Sequence, residues 1–224
     1  GAAVVAAAWH CWPSNRVAGP RPTDPATLDA IMSLLDESGC FRSVDGGAKT
    51  TSNLPLFLDL GSGDGRVVLG VASRFSEQCR CVGVEVMEDA VASSKDAATK
   101  LEPLAPTRFL CADMGEVDLH DVDILFLYLP QQVLRQVVLN LLPRSGLQLG
   151  AKILVEDAPR DFRDGDRSFG LKLLCSGGVK PPSSQYPTLD LFEWRGSSLK
   201  DKRRAAQVEL KRLPVWADAQ STGC

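Results

Sequence analysis

Residues 54–75, LPLFLDLGSGDGRVVLGVASRF, constrain the architecture of this chain more than any other stretch. An apolar run the length of one buried strand stops at Gly61, Gly63 and Gly65, and a helical pattern of apolar residues follows at once. A glycine-rich turn between a strand and a helix lets a ligand approach the backbone and the helix N-terminus closely. A strand of this kind, apolar on both faces, belongs inside a parallel sheet covered by helices on both sides.

The rest of the chain repeats the theme. Residues 79–86 (CRCVGVEV), 107–113 (TRFLCAD), 121–129 (DVDILFLYL) and 150–157 (GAKILVED) read as strands, with helices expected over 87–102 and 131–142. After Asp157 the alternation ends. A charged loop leads to two further strands, 170–177 and 188–196, with no helical pattern between them, so they are expected to pair antiparallel at the sheet edge. The expectation is an α/β, Rossmann-like, doubly wound sheet of seven strands, mostly parallel, with a C-terminal antiparallel hairpin at its edge. Three regions follow: 1–54, an N-terminal segment and helix covering the ligand site; 55–196, the core; and 197–224, a basic helix and tail. In the first, Thr23 or Asp24 can cap a helix that starts at Pro25, carries Leu28, Ile31, Leu34 and Leu35 on one stripe and ends at Gly39. The loop over 42–53 is polar. In the last, residues 198–213 carry six basic and two acidic side chains. They read as a solvated helix face, with binding to acidic partners as the alternative.

Composition excludes some classes. A net charge of −3 and a pI near 5.5 do not supply the basic field that non-specific nucleic-acid binding needs, and no DNA partner is expected. Seven cysteines, an odd number, point to reduced thiols and an intracellular protein, cytoplasmic or mitochondrial. Cys79 and Cys81 share a strand face and read as core thiols; with two histidines in the chain, no metal is expected. Starting at Gly1, the sequence reads as trimmed. The apolar run over 2–9 is eight residues long, against the roughly 20 that cross a bilayer. It is expected to pack on the domain as a helical turn, the stub of an anchor or targeting segment being the alternative. A monomer is expected.

The ends of the strands identify the ligand class. Asp59 closes the first strand, two residues before Gly61. A dinucleotide would bring its pyrophosphate there, and two like unit charges 4 Å apart repel by roughly 4 kcal/mol at an effective dielectric of 20. S-adenosylmethionine has no phosphate. It brings an ammonium and a sulfonium, and its carboxylate can use the helix N-terminus. The glycine spacing is G-x-G-x-G, one residue shorter than the dinucleotide pattern G-x-G-x-x-G. Glu85 ends the second strand and can accept from both ribose hydroxyls, which suits either ligand. Asp113 ends the third and can accept from the adenine amino group while Met114 packs on the ring. Ser62 and Val86 belong to the same pocket. Each acid alone reads equally well as a capping or solvated residue; three at successive strand ends beside a glycine turn read as a pocket for S-adenosylmethionine, with S-adenosylhomocysteine as product.

DLGSGDGRVV, VGVEV, CADM and the edge strands resemble the class I, seven-β-strand methyltransferases over about residues 20–195. PTD before the first helix, LFLYLPQQV and LDLFEW narrow the resemblance. They are similar to a group of protein-lysine methyltransferases acting on the ATP synthase c subunit and the adenine nucleotide translocase, with bacterial relatives. The loop over 42–53 is not part of that group's pattern, and the chain shows no clear N-terminal membrane segment. The resemblance implies that Pro22 and Thr23 fold over the cofactor. It also implies that Tyr128, Leu129 and Pro130 follow the fourth strand beside the transferred methyl. Many methyltransferases of amide or base nitrogens carry Asp/Asn-Pro-Pro-Tyr/Phe there, and this chain lacks the Asp or Asn. Tyr128 is then expected as a wall and hydroxyl at the acceptor, with Glu156 and Asp157, ending the fifth strand, attracting a cationic amine or taking its proton. For Tyr128 a core aromatic, and for Glu156 and Asp157 a loop cap, are the alternatives. The expected function is methylation of lysine on a protein partner. The rivals are a class I enzyme acting on a small molecule or RNA, and a silent cofactor-binding subunit.

Overall fold

The computed structural model describes residues 23–41, 53–101, 104–164, 169–178, 188–196 and 213–215. The apolar run over 2–9, Pro22, most of the 42–53 loop and nearly all of the basic tail lie outside the described residues.

The elements are α1 Pro25–Glu37, β1 Leu56–Leu60, α2 Arg66–Arg74, β2 Arg80–Glu85, α3 Glu88–Thr99 and β3 Thr107–Cys111. Then follow β4 Val117–Asp118, β5 Ile124–Leu127, α4 Gln131–Gln136, β6 Lys152–Glu156, α5 Arg160–Arg163, β7 Leu171–Gly178, β8 Thr188–Trp194 and β9 Leu213–Pro214. Seven strands form one sheet in the order β3-β2-β1-β5-β6-β8-β7. The first five run parallel. β8 pairs antiparallel with both β6 and β7. The fold class expected from the sequence is the one observed, with β8 rather than β7 lying next to β6.

Three local differences have physical reasons. The helix after β5 is α-helical only to Gln136 and continues as a π turn over Val137–Leu141 and a 3₁₀ turn over Leu142–Arg144, which accommodates Pro143 near its end. Leu213, the last residue of the expected tail helix, is extended and pairs with Val117; a residue before proline is biased away from helical backbone. β4 and β9 were not foreseen, because two-residue strands carry no periodicity.

Side-chain alternation sorts the core onto the two faces of the sheet. Leu56, Leu58 and Leu60 face one layer with Leu125 and Ile153. Phe57, Phe126 and Leu154 face the other, with Ile31 and Leu35 of α1 and Val68 of α2. In the register Phe126 lies opposite both Asp59 and Leu154. Counting by twos, Asp59, Tyr128 and Glu156 emerge on this second face at neighbouring strand ends. Cys79 and Cys81 are buried in the same layer with their sulfurs 3.5 Å apart.

α1 begins where the sequence signals it. Asp24 Oδ1 accepts from the backbone N–H of Ala26 (3.0 Å) and Thr27 (3.1 Å), and Pro25 occupies the first turn. Among the described residues no helix is long and apolar enough to cross a membrane.

Gly65, expected against the ligand, has a packing role. Its φ is +75°, and a Cβ there would meet the Phe109 ring and Ser94 Oγ at 2.7 Å. Gly63 has φ +52° but open space where its Cβ would be. Gly65→Ala should therefore destabilise by about 2–4 kcal/mol, combining the left-handed penalty with overpacking, and Gly63→Ala by about 1. Urea unfolding of both variants measures the difference; equal effects would contradict this packing.

Candidate active site

A cleft of about 1440 Å³ opens at the carboxyl ends of β1, β2, β5 and β6. Of the residues singled out in the sequence, it is lined by Thr23, Asp59, Gly61, Ser62, Gly63, Glu85, Met114, Tyr128 and Asp157. Gly65, Val86, Asp113 and Glu156 are not among its lining residues, and Pro22 lies outside the described chain.

The glycine turn is tied to β2. Gly61 and Ser62 donate their N–H groups to the Val84 carbonyl, at 2.8 and 3.0 Å. Gly63 N–H donates to Glu85 Oε2 at 3.0 Å, while Glu85 Oε1 accepts from Val86 N–H (2.8 Å) and Met87 N–H (3.1 Å). A carboxylate offers about four acceptor directions. Three are taken by backbone in the ligand-free structure, and the fourth is open to a further donor. Asp113 likewise turns back on its own loop, Oδ1 accepting from Gly115 N–H at 2.7 Å. Met114 beside it faces the cleft. Val86 is solvent-exposed.

Asp59 is 3% exposed, and no described residue donates a hydrogen bond to its carboxyl. Burial, reinforced by the charges of Glu85, Glu156 and Asp64, pushes it up to about 8. Ser62 Oγ is buried without a partner among the described residues. A desolvated acid without a donor, lining a cleft, calls for a cationic donor from outside. The ammonium of S-adenosylmethionine meets that need; a pyrophosphate would aggravate it.

Some lining residues carried no signal in the sequence. Arg66 Nε donates to both oxygens of Asp64 at 3.0 Å, and its Nη1 donates to the Thr23 carbonyl at 3.0 Å. Its spacing from Asp64 made that pair readable, but its reach to Thr23 was not. On the acceptor side Arg135 of α4 bridges to Asp161 of α5, with its guanidinium 5.9 Å above the Phe162 ring. These partners stand 26 residues apart, beyond any local pattern. Arg163 donates to buried Asp190 at 2.7 Å and to Thr188.

Comparison with known proteins agrees with this geometry. The family described as "Methyltransferase domain" matches residues 57–142, which hold the glycine turn, Glu85, Met114 and Tyr128. Over residues 57–142 the chain matches a methyltransferase domain, and S-adenosylmethionine is its methyl donor. Solved structures share the fold. An RNA methyltransferase from Salinibacter ruber in complex with S-adenosyl-L-homocysteine is 21% identical, with TM-score 0.55, covering 81% of this chain and 98% of that one. Magnesium protoporphyrin IX methyltransferase from Synechocystis PCC 6803 with bound SAM is 15% identical, TM-score 0.54, covering 80% and 88%. Precorrin-6y C5,15-methyltransferase from Geobacter metallireducens is 15% identical, TM-score 0.51, covering 81% and 94%. At these identities the likeness is one of fold. Among curated proteins no match was found.

Asp59 makes binding pH-dependent in this methyltransferase. Its folded pKa, about 8, is raised above the ordinary 3.8. The ligand-free fold is therefore favoured at low pH and loses that advantage as pH rises through about 8. Holding an ammonium requires the ionised form, so binding near pH 6 releases a proton. Affinity for S-adenosylmethionine should rise from pH 5 to 7 by up to about tenfold per unit. Calorimetry in buffers of different ionisation enthalpy should detect the proton. In Asp59→Asn the release should vanish and the affinity fall; a wild-type affinity flat with pH would contradict this role.

Proposed function

We propose that this methyltransferase acts on lysine side chains of a protein substrate. The observation that carries the reading is Asp157, the only non-glycine residue with positive φ (57°) among the described residues. A left-handed backbone costs a non-glycine residue roughly 1–2 kcal/mol, less for Asp, and survives where the surroundings enforce it. Here β8 enforces it: Asp157 N–H donates to the Thr188 carbonyl at 2.9 Å, and Asp157 Oδ1 accepts from Thr188 N–H at 3.3 Å. Oδ2 takes no hydrogen bond from a described residue. The result is an acceptor oxygen held at the cleft and open to a cationic amine.

The walls support the same reading. The exit of β5 is Tyr128-Leu129-Pro130, with no amide or acid before Gln131 at the start of α4. Leu129, Pro130, Ala158 and Pro159 give the cleft an apolar lining here. Bound S-adenosylmethionine supplies an electrophilic methyl on a sulfonium. The chain has to deliver an unprotonated amine. Free lysine, with a pKa near 10.4, is neutral in about one molecule in 2,500 at pH 7. An apolar lining disfavours the charged amine, and Asp157 first attracts it and then offers the departing proton a path to solvent. Tyr128 serves as an aromatic wall for the aliphatic stem. Positioning does the rest.

The test is incubation of a cell lysate with radiolabelled S-adenosylmethionine and the enzyme. Label should appear in protein and be released as methyl-lysine on hydrolysis. The rate should climb between pH 7 and 9, by up to about tenfold per unit while the bound amine stays protonated. Asp157→Asn should raise KM for the protein substrate with little change in cofactor affinity, and Tyr128→Ala, which removes the wall, should lower kcat/KM. Label in RNA or a small metabolite, with a rate flat over this range, would reject lysine and leave the methyltransferase standing. No label in any fraction would favour a silent cofactor-binding subunit.

A further inference from the structure

We infer that Glu156 and Arg66 are positioning residues that hold the chain at Thr23 against the cleft, so that the carboxyl ending β6 serves the segment entering α1 rather than the methyl acceptor. The inference does not depend on the identity of that acceptor.

Three distant parts of the chain meet at Thr23. Its hydroxyl donates to Glu156 Oε2 at 3.3 Å across 133 residues of sequence. Its carbonyl accepts from Arg66 Nη1 at 3.0 Å. The next residue, Asp24, is committed to capping α1. Thr23 thus has its hydroxyl, its carbonyl and its downstream neighbour all fixed. Arg66 is aimed by Asp64, which takes its Nε and leaves Nη1 to reach Thr23. Thr23, Asp64 and Arg66 all line the cleft, so the clamp lies on its rim.

Burial explains why the contact is specific. Glu156 is 2% exposed and Thr23 5%. No described residue other than Thr23 donates a hydrogen bond to the Glu156 carboxyl. A buried acid left without a donor is destabilising, so the segment satisfies Glu156 as Glu156 holds the segment. Burial, opposed by the Thr23 hydroxyl and aided by the charges of Asp157 and Asp24, pushes Glu156 up to about 7. Protonated or not, Glu156 and Thr23 can share a hydrogen bond, since a carboxylic acid can donate where the carboxylate accepts. Glu156 is absent from the cleft lining, unlike Asp157 beside it. The two acids of this strand end have separate tasks: Asp157 faces the acceptor, and Glu156 faces the entering segment.

The experiment compares paired variants of the whole chain, using S-adenosylhomocysteine titration and amide hydrogen exchange in the first turn of α1. Thr23→Val removes the hydroxyl at nearly constant volume, and Glu156→Leu removes the acceptor. Each should weaken S-adenosylhomocysteine by about tenfold or more and speed exchange, as expected for losing a hydrogen bond to a buried acid. The double variant should be no worse than the poorer single one, because the two losses are one interaction. Thr23→Ser and Glu156→Gln, which keep a donor and an acceptor, should recover most of the affinity. The proposal is overturned if Thr23→Val binds and exchanges as wild type. It is also overturned if Glu156→Gln binds S-adenosylhomocysteine normally yet loses methyl incorporation from labelled cofactor by about a hundredfold, the mark of a general base. Thr23→Val lies at the edge of the fold, so the test survives if Glu156→Leu fails to fold.

Discussion

A carboxyl group buried near the end of β1, an interior strand, sets the terms for the whole site. Asp59 sits there because β1 is paired on both sides, by β2 and β5, and its face is covered by the layer that holds α1 and α2. Raising it from 3.8 to about 8 corresponds to an opposing free energy on the order of 5 kcal/mol for its ionised form. That is comparable with the whole stability of many domains, roughly 5–15 kcal/mol. The ligand-free fold accommodates it by leaving Asp59 protonated. A cationic ligand reverses the balance, because the charge that burial penalises becomes the charge that binding uses. The donor for which this site is built is therefore selected by desolvation first and by hydrogen-bond geometry second.

The glycine turn and Glu85 follow from the same constraint. The chain leaving β1 turns through Gly61 and Gly63, whose lack of side chains leaves a ligand room beside Asp59. It does so by returning N–H groups to β2 and to Glu85. Glu85 thus spends much of its capacity organising the turn and the start of the loop after β2. Its direct share in ligand binding is one remaining acceptor direction. A residue read as a ligand contact is here also a brace for the turn beside it.

How far the sequence could be read depends on the range of each interaction. The strands and the acids at their ends were legible, because apolar runs, glycine turns and strand parity are local signals. Only with the register known does parity put Asp59, Tyr128 and Glu156 on one face. What parity cannot supply is the company each side chain finds there. Asp157 and Glu156 looked alike, adjacent acids at one strand end. Their difference comes from Thr188 on β8 and from Thr23 before α1, 31 and 133 residues away. The packing role of Gly65 was hidden for a related reason: the ring that excludes a Cβ belongs to Phe109 on β3.

Charge pairing around the cleft bears on the acceptor. Arg66 is held by Asp64, Arg135 by Asp161 and Arg163 by Asp190, so these cations are largely neutralised where they line the rim. Arg160 is the lining cation without a carboxylate partner among the described residues. Against it stand Asp59, Glu85, Asp157 and Asp164, none of them in an ion pair among the described residues. A phosphodiester chain would have to displace existing ion pairs to find its counter-charges. An ammonium finds acceptors already desolvated or already aimed. On the proposed reading, a cationic amine approaching a cationic donor would be tolerated because each would have its own carboxylate, Asp157 for one and Asp59 for the other. Such an amine, once it lost its proton, would no longer repel the sulfonium, and the apolar walls that disfavour its charged form would hold the neutral one in line.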